Sequence, residues 1–160
     1  MVKIESLMKE KRISKINEFE VGRYLNFFEN SYKDNLEHSE ANMTSFPRWS
    51  IISGYYAMHD ITKLFLAKQF MIKIDFNVHI TTIEVLKQLI KNKEIIKLIE
   101  DGYEEFISLA NDLAEAKEER TSVQYYTGTN FMKEEYKKKA RDFNENNVLK
   151  YISKIKELMK

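Results

Sequence analysis

The chain has 160 residues, and its 26 basic and 25 acidic side chains leave a net charge of +1, so it lacks the overall positive field that attracts nucleic acid non-specifically. Four glycines, one proline and no cysteine favour helices and exclude disulfides, cysteine nucleophiles and thiolate-bound metals. The charged first fifteen residues are unlike a signal peptide, and no uncharged run approaches the roughly 18 apolar residues of a membrane span. We therefore expect a single domain in the cytoplasm, with no membrane contact.

The first predicted element is an amphipathic helix within residues 3–37. Apolar residues from Ile13 to Phe28 recur there at three- and four-residue spacings, with a possible break near Gly22. The opening fifteen residues are polar enough to suggest a frayed segment. The sequence therefore predicts an N-terminal helical extension over residues 1–20 and a helical bundle over residues 21–160.

The second helix has the clearest start. Ser45 is a candidate cap, and Pro47 stands just inside the helix, where its missing N–H costs nothing. The apolar pattern then continues to about Phe70. A stripe of small residues follows the same stretch and would let another helix approach closely: Ser50, Ser53, Gly54 and Ala57. We therefore expect this helix at the centre of the bundle.

Three further helices complete the prediction. Residues 81–84 have the form of a capping box that opens a third helix. A fourth is predicted over residues 94–118, weakened by Gly102 unless close packing requires that glycine, and a last one follows a cap at Thr129 or Asn130. No stretch alternates long enough to predict a strand. The expected fold class is all-α, an up-and-down antiparallel helical bundle of about five helices.

Residues 48–69 resemble the second helix of HEPN domains, which are small helical domains of prokaryotes found beside, or fused to, minimal nucleotidyltransferases. The resemblance lies in five consecutive residues and the aliphatic run after them, which ends near Lys68: Tyr55, Tyr56, Ala57, Met58 and His59. His79 lies where many relatives carry a histidine that opens the third helix. Residues 113–125 resemble the Arg…Asp-Tyr ending of the family's fourth helix, and the resemblance covers residues 24–158.

The resemblance implies a HEPN-like bundle that forms a homodimer. It also implies binding of a nucleotide, RNA or a minimal nucleotidyltransferase partner, as in a toxin–antitoxin pair. No cofactor is expected. No metal site is predicted either, because no pair of His, Asp or Glu at helical spacing converges with a third ligand.

HEPN ribonucleases carry an arginine followed after four to six residues by a histidine. Arg120 matches that arginine, but residues 121–127 contain no histidine, and His79 is the last histidine of the chain. Tyr125 would have to serve instead, and a tyrosine with a pKa of about 10 transfers protons poorly at pH 7. We therefore expect binding rather than catalysis. The alternatives are a metal-independent endoribonuclease toxin that uses Arg120 and Tyr125, and a helical adaptor that binds no nucleotide.

A groove between the second and fourth helices is the predicted binding site. Aromatic rings there would stack a base, and an arginine would hold a phosphate. The predicted ligand-binding residues are Tyr55, Tyr56, His59, Arg120, Tyr125 and Tyr126. Simpler roles stay open, since Arg120 also suits a helix C-terminus, His59 suits a hydrogen-bonded interior position, and core packing would account for at least two of the tyrosines.

Overall fold

The structure, a computed structural model, describes residues 3–119 and 129–160, without the side chains of residues 110, 112–119 and 129–132. Within these ranges the chain is almost entirely helical, which confirms the predicted all-α helical bundle. A five-residue π-helical turn, Asn144–Val148, joins the last two helices. The elements in chain order are α1 (Ile4–Lys9), β1 (Ile13–Lys15), α2 (Glu18–Asn42), α3 (Pro47–Phe70), β2 (Ile72–Ile74), α4 (Val78–Leu89), α5 (Lys93–Glu119), α6 (Thr129–Phe143) and α7 (Leu149–Leu158).

Helix α3 lies at the centre and contacts α2, α4, α5, α6 and α7. Its stripe of small residues explains the close approach of its neighbours. A Cβ added to Gly54 would lie 2.9 Å from Val148 Cγ2 and 3.0 Å from Ser39 Oγ. Ser39 Oγ donates to the Ser50 carbonyl at 2.8 Å, and Ser50 Oγ donates back to the Ser39 carbonyl at 2.7 Å. We call Ser39, Ser50, Gly54 and Val148 the small-residue seam.

Residues 3–16 form regular elements that pack on the core, so the expectation of a frayed segment is wrong. Strand β1 pairs with β2 in antiparallel register, with Ile13 opposite Ile74. Leu7 and Ile13 are buried and belong to the same hydrophobic cluster as α3. Ile4, Leu7 and Met8 stand at helical spacing and form the face of α1 that packs on the core, whereas Ile13 and Ile16 lie in or beside β1. These two isoleucines are buried because a distant strand provides their partner.

One helix start, one helix cap and one break differ from prediction. Helix α2 continues through the exposed Gly22, and Ser45 is not a cap, since α3 starts after Phe46 without a side-chain cap. Helix α4 begins at Val78, before the predicted capping box. Thr81 Oγ1 donates to the Phe76 carbonyl at 2.8 Å, so this hydroxyl bonds backwards instead of capping a later turn.

The C-terminal helices close the bundle against α3. Tyr151 of α7 is fully buried, and its hydroxyl lies 2.6 Å from Thr62 Oγ1 of α3. Thr62 donates its own hydrogen to the Met58 carbonyl, so the Tyr151 phenol donates to Thr62. In the described part of the chain, no helix from α1 to α7 combines the length and the apolar character needed to cross a bilayer.

Candidate functional site

Helices α3, α4 and α5 bring six rings together beside the core. We call them the aromatic–histidine cluster: Tyr55, Tyr56 and His59 of α3, His79 of α4, and Tyr103 and Phe106 of α5. Tyr55 and His59 lie one turn apart on α3, and Tyr103 and Phe106 one turn apart on α5, so each pair shares a helix face. Gly102 lets α5 approach, because a Cβ there would lie 3.1 Å from the Met58 methyl group.

The cluster has a buried floor and a half-buried rim. Tyr55 and His59 are buried, whereas the other four rings are half-buried. Phe106 stacks on Tyr55 with ring centroids 4.9 Å apart, and Tyr103 stacks on His79 at 6.0 Å. Tyr56 turns its edge to His79 at 5.7 Å. The rim therefore offers aromatic surface that the fold does not fully cover.

His79 is uncharged at neutral pH and is held by Tyr55. Burial lowers the pKa of His79 to about 4, with nearby His59 and Lys63 acting in the same direction and Asp60 opposing them. The Tyr55 hydroxyl lies 3.0 Å from His79 Nδ1, and burial raises the pKa of that phenol, so it keeps its proton. A buried phenol needs an acceptor, and within the described residues Nδ1 is the one that Tyr55 has.

This assigns the proton on the His79 ring. With Nδ1 accepting from Tyr55, a neutral imidazole carries its hydrogen on Nε2. Among the residues that the structure describes, none accepts that hydrogen. The half-buried His79 therefore presents an uncharged N–H donor at the rim, beside the rings of Tyr56 and Tyr103.

His59 has a defined tautomer as well. Thr82 Oγ1 donates to the Val78 carbonyl at 2.6 Å, so toward His59 that oxygen acts as acceptor. His59 Nε2 lies 3.2 Å from Thr82 Oγ1 and 3.3 Å from the Val78 carbonyl, and it therefore carries the hydrogen. Burial lowers the pKa of His59, and its unprotonated Nδ1 has no hydrogen-bond partner among the described residues.

A buried carboxylate lies next to this unpartnered nitrogen. Asp60 Oδ1 is 3.8 Å from His59 Nδ1, too far for a hydrogen bond, and both atoms are acceptors. The other carboxylate oxygen accepts from Ser31 Oγ at 2.6 Å and from Asn35 Nδ2 at 3.0 Å on α2. Asp60 is thus anchored to α2, behind the rings of the cluster.

The cluster suits binding of a flat, uncharged group better than acid–base chemistry. A histidine with a pKa of about 4 is a weak base and is almost entirely unprotonated at pH 7. In the described ranges, no group of three or more His, Asp or Glu residues is placed to hold a metal ion.

Three of the six predicted ligand-binding residues come together here. Tyr55, Tyr56 and His59 all lie in the cluster. Arg120, Tyr125 and Tyr126 lie outside the described residues, and their roles stay predictions from sequence.

Sequence reasoning missed three members of the cluster. His79 was interpreted only as the start of a helix, and Tyr103 and Phe106 were not singled out. The i, i+3 spacing of Tyr103 and Phe106 on α5 was a usable signal.

Comparison of the chain with protein-family models, curated proteins and solved structures gave no match. The resemblance to HEPN domains therefore depends on the sequence features of residues 24–158. The function has to be argued from the cluster itself.

Proposed function

We propose that the chain is a HEPN-type binding module that holds the base of a nucleotide or RNA in the aromatic–histidine cluster. It acts in the cytoplasm as a homodimer with a minimal nucleotidyltransferase, in a toxin–antitoxin-like pair. One observation carries the binding proposal: half-buried rings surround an uncharged His79 Nε2–H donor that no described residue satisfies. The family resemblance of residues 48–69 supports the partner and the dimer.

The rim matches the chemistry of a nucleobase. A base stacked on an aromatic side chain gains about 1–3 kcal/mol. Tyr56 and Tyr103 are half-buried tyrosines whose ring centroids lie 5.7 and 6.0 Å from that of His79. Every base carries ring nitrogens or carbonyl oxygens that accept a hydrogen bond from a neutral N–H. Stacking and the His79 donor would therefore act on the same flat ligand.

The phosphate of such a ligand needs a different group. His79 is uncharged, and the described charged groups that affect it, Lys63 and Asp60, contact helix α2: Lys63 lies over the Phe28 ring, and Asp60 accepts from Ser31 and Asn35. Arg120 is the cation that the sequence predicts for this purpose. We therefore assign base recognition to the cluster and phosphate recognition to Arg120.

Binding of the base is tested by calorimetric titration with adenosine, cytidine, their 5′-monophosphates and ribose 5-phosphate. We expect the nucleosides to bind and ribose 5-phosphate alone to bind weakly. Tyr56→Ala should weaken binding about tenfold, the loss of one stacked base. Phe27→Ala, which removes an exposed ring elsewhere on α2, is the matched control and should leave affinity unchanged. Equal affinities in all three proteins would overturn the assignment of the cluster.

The partner is tested by native mass spectrometry of the complex purified gently from its own host. A dimer that carries a nucleotidyltransferase supports the proposal. A bare chain that binds no nucleoside indicates a helical adaptor instead. Metal-independent RNA cleavage that disappears in Arg120→Ala would replace the binding module by the ribonuclease alternative, whereas cleavage shared by both proteins indicates contamination.

A further inference from the structure

The N-terminal arm, residues 3–16, is attached to the turn that starts α4. The Arg12 carbonyl accepts hydrogen bonds from the backbone N–H groups of Asp75 at 2.9 Å and Phe76 at 3.2 Å. Pairing of β1 with β2 continues this contact up to the same turn. The backbone of the arm therefore holds the segment that leads into α4.

The Arg12 side chain holds the other side of that turn. Its Nε and Nη2 atoms donate to Thr81 Oγ1 at 3.1 and 2.9 Å, and Nη2 also contacts Glu84 Oε2 at 2.5 Å. Thr81 is buried in the first turn of α4, and only 14% of the Arg12 side chain is exposed. Charge-assisted bonds of this kind are roughly twice as strong as neutral ones. One residue thus clamps both the approach to α4 and its first turn.

The clamped turn has a backbone conformation that needs support. Asn77, immediately before α4, has a φ of 48°, in the left-handed region, and it makes no side-chain cap bond. Asparagine tolerates this conformation better than most residues, yet it costs free energy that the surroundings must supply. The Arg12 contacts on both sides of Asn77 provide that support.

The same turn supplies the α4 contacts of the aromatic–histidine cluster. His79 Nδ1 accepts from Tyr55, and the Val78 carbonyl and Thr82 Oγ1 accept from His59. We infer that Arg12 is a positioning residue for the cluster: the N-terminal arm holds the first turn of α4 against α3 and thereby maintains the His79–Tyr55 hydrogen bond. An effect of Arg12 on ligand affinity rests on the proposed function, whereas its effect on His79 does not.

The test follows the His79 ring by NMR during a pH titration of the folded full chain. His79 is faced by Tyr55, Tyr56 and His59 of α3 and by Tyr103 and Phe106 of α5, with Lys63 and Asp60 acting at longer range; none of these is altered by the variants. In Arg12→Ala, we expect the pKa of His79 to rise from about 4 by about one unit, because the ring gains solvent. The Nδ1 signal should also lose the signature of an accepted hydrogen bond.

Two comparisons separate positioning from general destabilisation. Arg23→Ala removes an exposed arginine of α2 and should leave the His79 signals unchanged. Arg12→Lys keeps the charge without the guanidinium fork and should restore part of the wild-type titration. If Arg12→Ala does not fold, Thr81→Val removes one of the two side-chain acceptors of Arg12 at similar volume and should shift the His79 titration in the same direction.

A folded Arg12→Ala or Thr81→Val protein whose His79 titrates as in wild type would overturn the inference, even if its melting temperature falls. Nucleoside affinity is measured on the same samples. A His79 shift together with about tenfold weaker nucleoside binding supports both proposals. If the variant shifts the His79 titration but the wild-type protein binds no nucleoside, the positioning role is supported and the proposed function is overturned.

Discussion

The small-residue seam and the aromatic–histidine cluster both include residues of helix α3. They differ in whether their buried polar groups have hydrogen-bond partners. In the seam, the hydroxyls of Ser39 and Ser50 each donate to the other residue's carbonyl, and neither residue is exposed. In the cluster, His59 Nδ1 has no partner among the described residues, and the rings of the rim are half-buried. The seam joins helices, whereas the cluster keeps unused hydrogen-bonding capacity and uncovered aromatic surface.

Unsatisfied polar groups distinguish the aromatic–histidine cluster from the small-residue seam. Buried polar groups that serve packing are satisfied within the fold, since an unsatisfied one costs about 1–3 kcal/mol. His59 Nδ1 in the cluster departs from this pattern, and the pKa values of both histidines of the cluster and of Tyr55 are shifted by burial. We infer function from the departure rather than from the number of aromatic rings.

The greatest loss of stability is expected from a bulky substitution in the small-residue seam. Gly54→Leu places a side chain where even a Cβ would lie 2.9 Å from Val148 Cγ2, and overpacking of this kind should lower the free energy of unfolding by about 3 kcal/mol. Urea unfolding measures it. Gly22→Ala is the matched control, because nothing lies within 4 Å of its Cβ position, and a helical alanine should stabilise by about 0.5–1 kcal/mol. Similar losses in both variants would show that the seam is not tightly packed.

The pH dependence of stability that is due to His79 should be a smaller effect. His79 has a pKa of about 4 in the folded chain and 6.5 ordinarily, so below pH 6.5 the unfolded chain binds a proton that the folded chain does not. Its contribution to stability is complete above pH 6.5, falls as the pH drops toward 4, and is constant below that. We expect about 1.5 kcal/mol over this range, after allowing for solvent screening of a half-buried ring.

The contribution is isolated by comparing wild type with His79→Gln in urea unfolding between pH 7 and pH 4. Carboxylates that titrate in the same range cancel in the difference. Phe27→Ala, which removes an exposed ring of α2 and no titrating group, is the control and should keep the wild-type pH dependence. A His79→Gln protein with the full wild-type dependence would show that the ring is not desolvated.

The smallest effect compares two buried phenols. Tyr55→Phe removes the donor to His79 Nδ1, and Tyr151→Phe removes the donor to Thr62 Oγ1. Each should cost about 1 kcal/mol, the usual value of one hydrogen bond. Only Tyr55→Phe should change the NMR signals of His79. Equal changes in both variants would mean that the cluster responds to general loosening of α3 rather than to its own hydrogen bond.

The centre of the fold was predictable because its signals are local. Pro47 marks the start of α3, the pattern that follows runs to Phe70 as predicted, and the small residues near Gly54 indicate close approach of another helix. Tyr55, Tyr56 and His59 were predicted as ligand-binding residues from the resemblance of residues 48–69 to HEPN domains, and all three stand within this one helix. Spacing along a helix determines which residues share a face, and sequence displays that spacing directly.

The rest was decided by contacts between distant parts of the chain. Arg12 reaches Thr81, 69 residues away, and β1 forms only because β2 offers it a partner. Helix α4 starts earlier than the predicted capping box, because the hydroxyls of Thr81 and Thr82 bond to carbonyls that precede them. A threonine hydroxyl can make either this bond or a capping bond, and only packing selects between these two arrangements.

The sequence was enough to predict an all-α bundle and its central helix, and it proposed Tyr55, Tyr56 and His59, which the structure brings into one cluster. The tertiary structure alone decided that His79 meets Tyr55 and His59, and that the first residues of the chain clamp the helix that carries it. The physical reason is that helical periodicity depends on neighbours three and four residues apart. The protonation and the exposure of a histidine, in contrast, depend on every element packed around it.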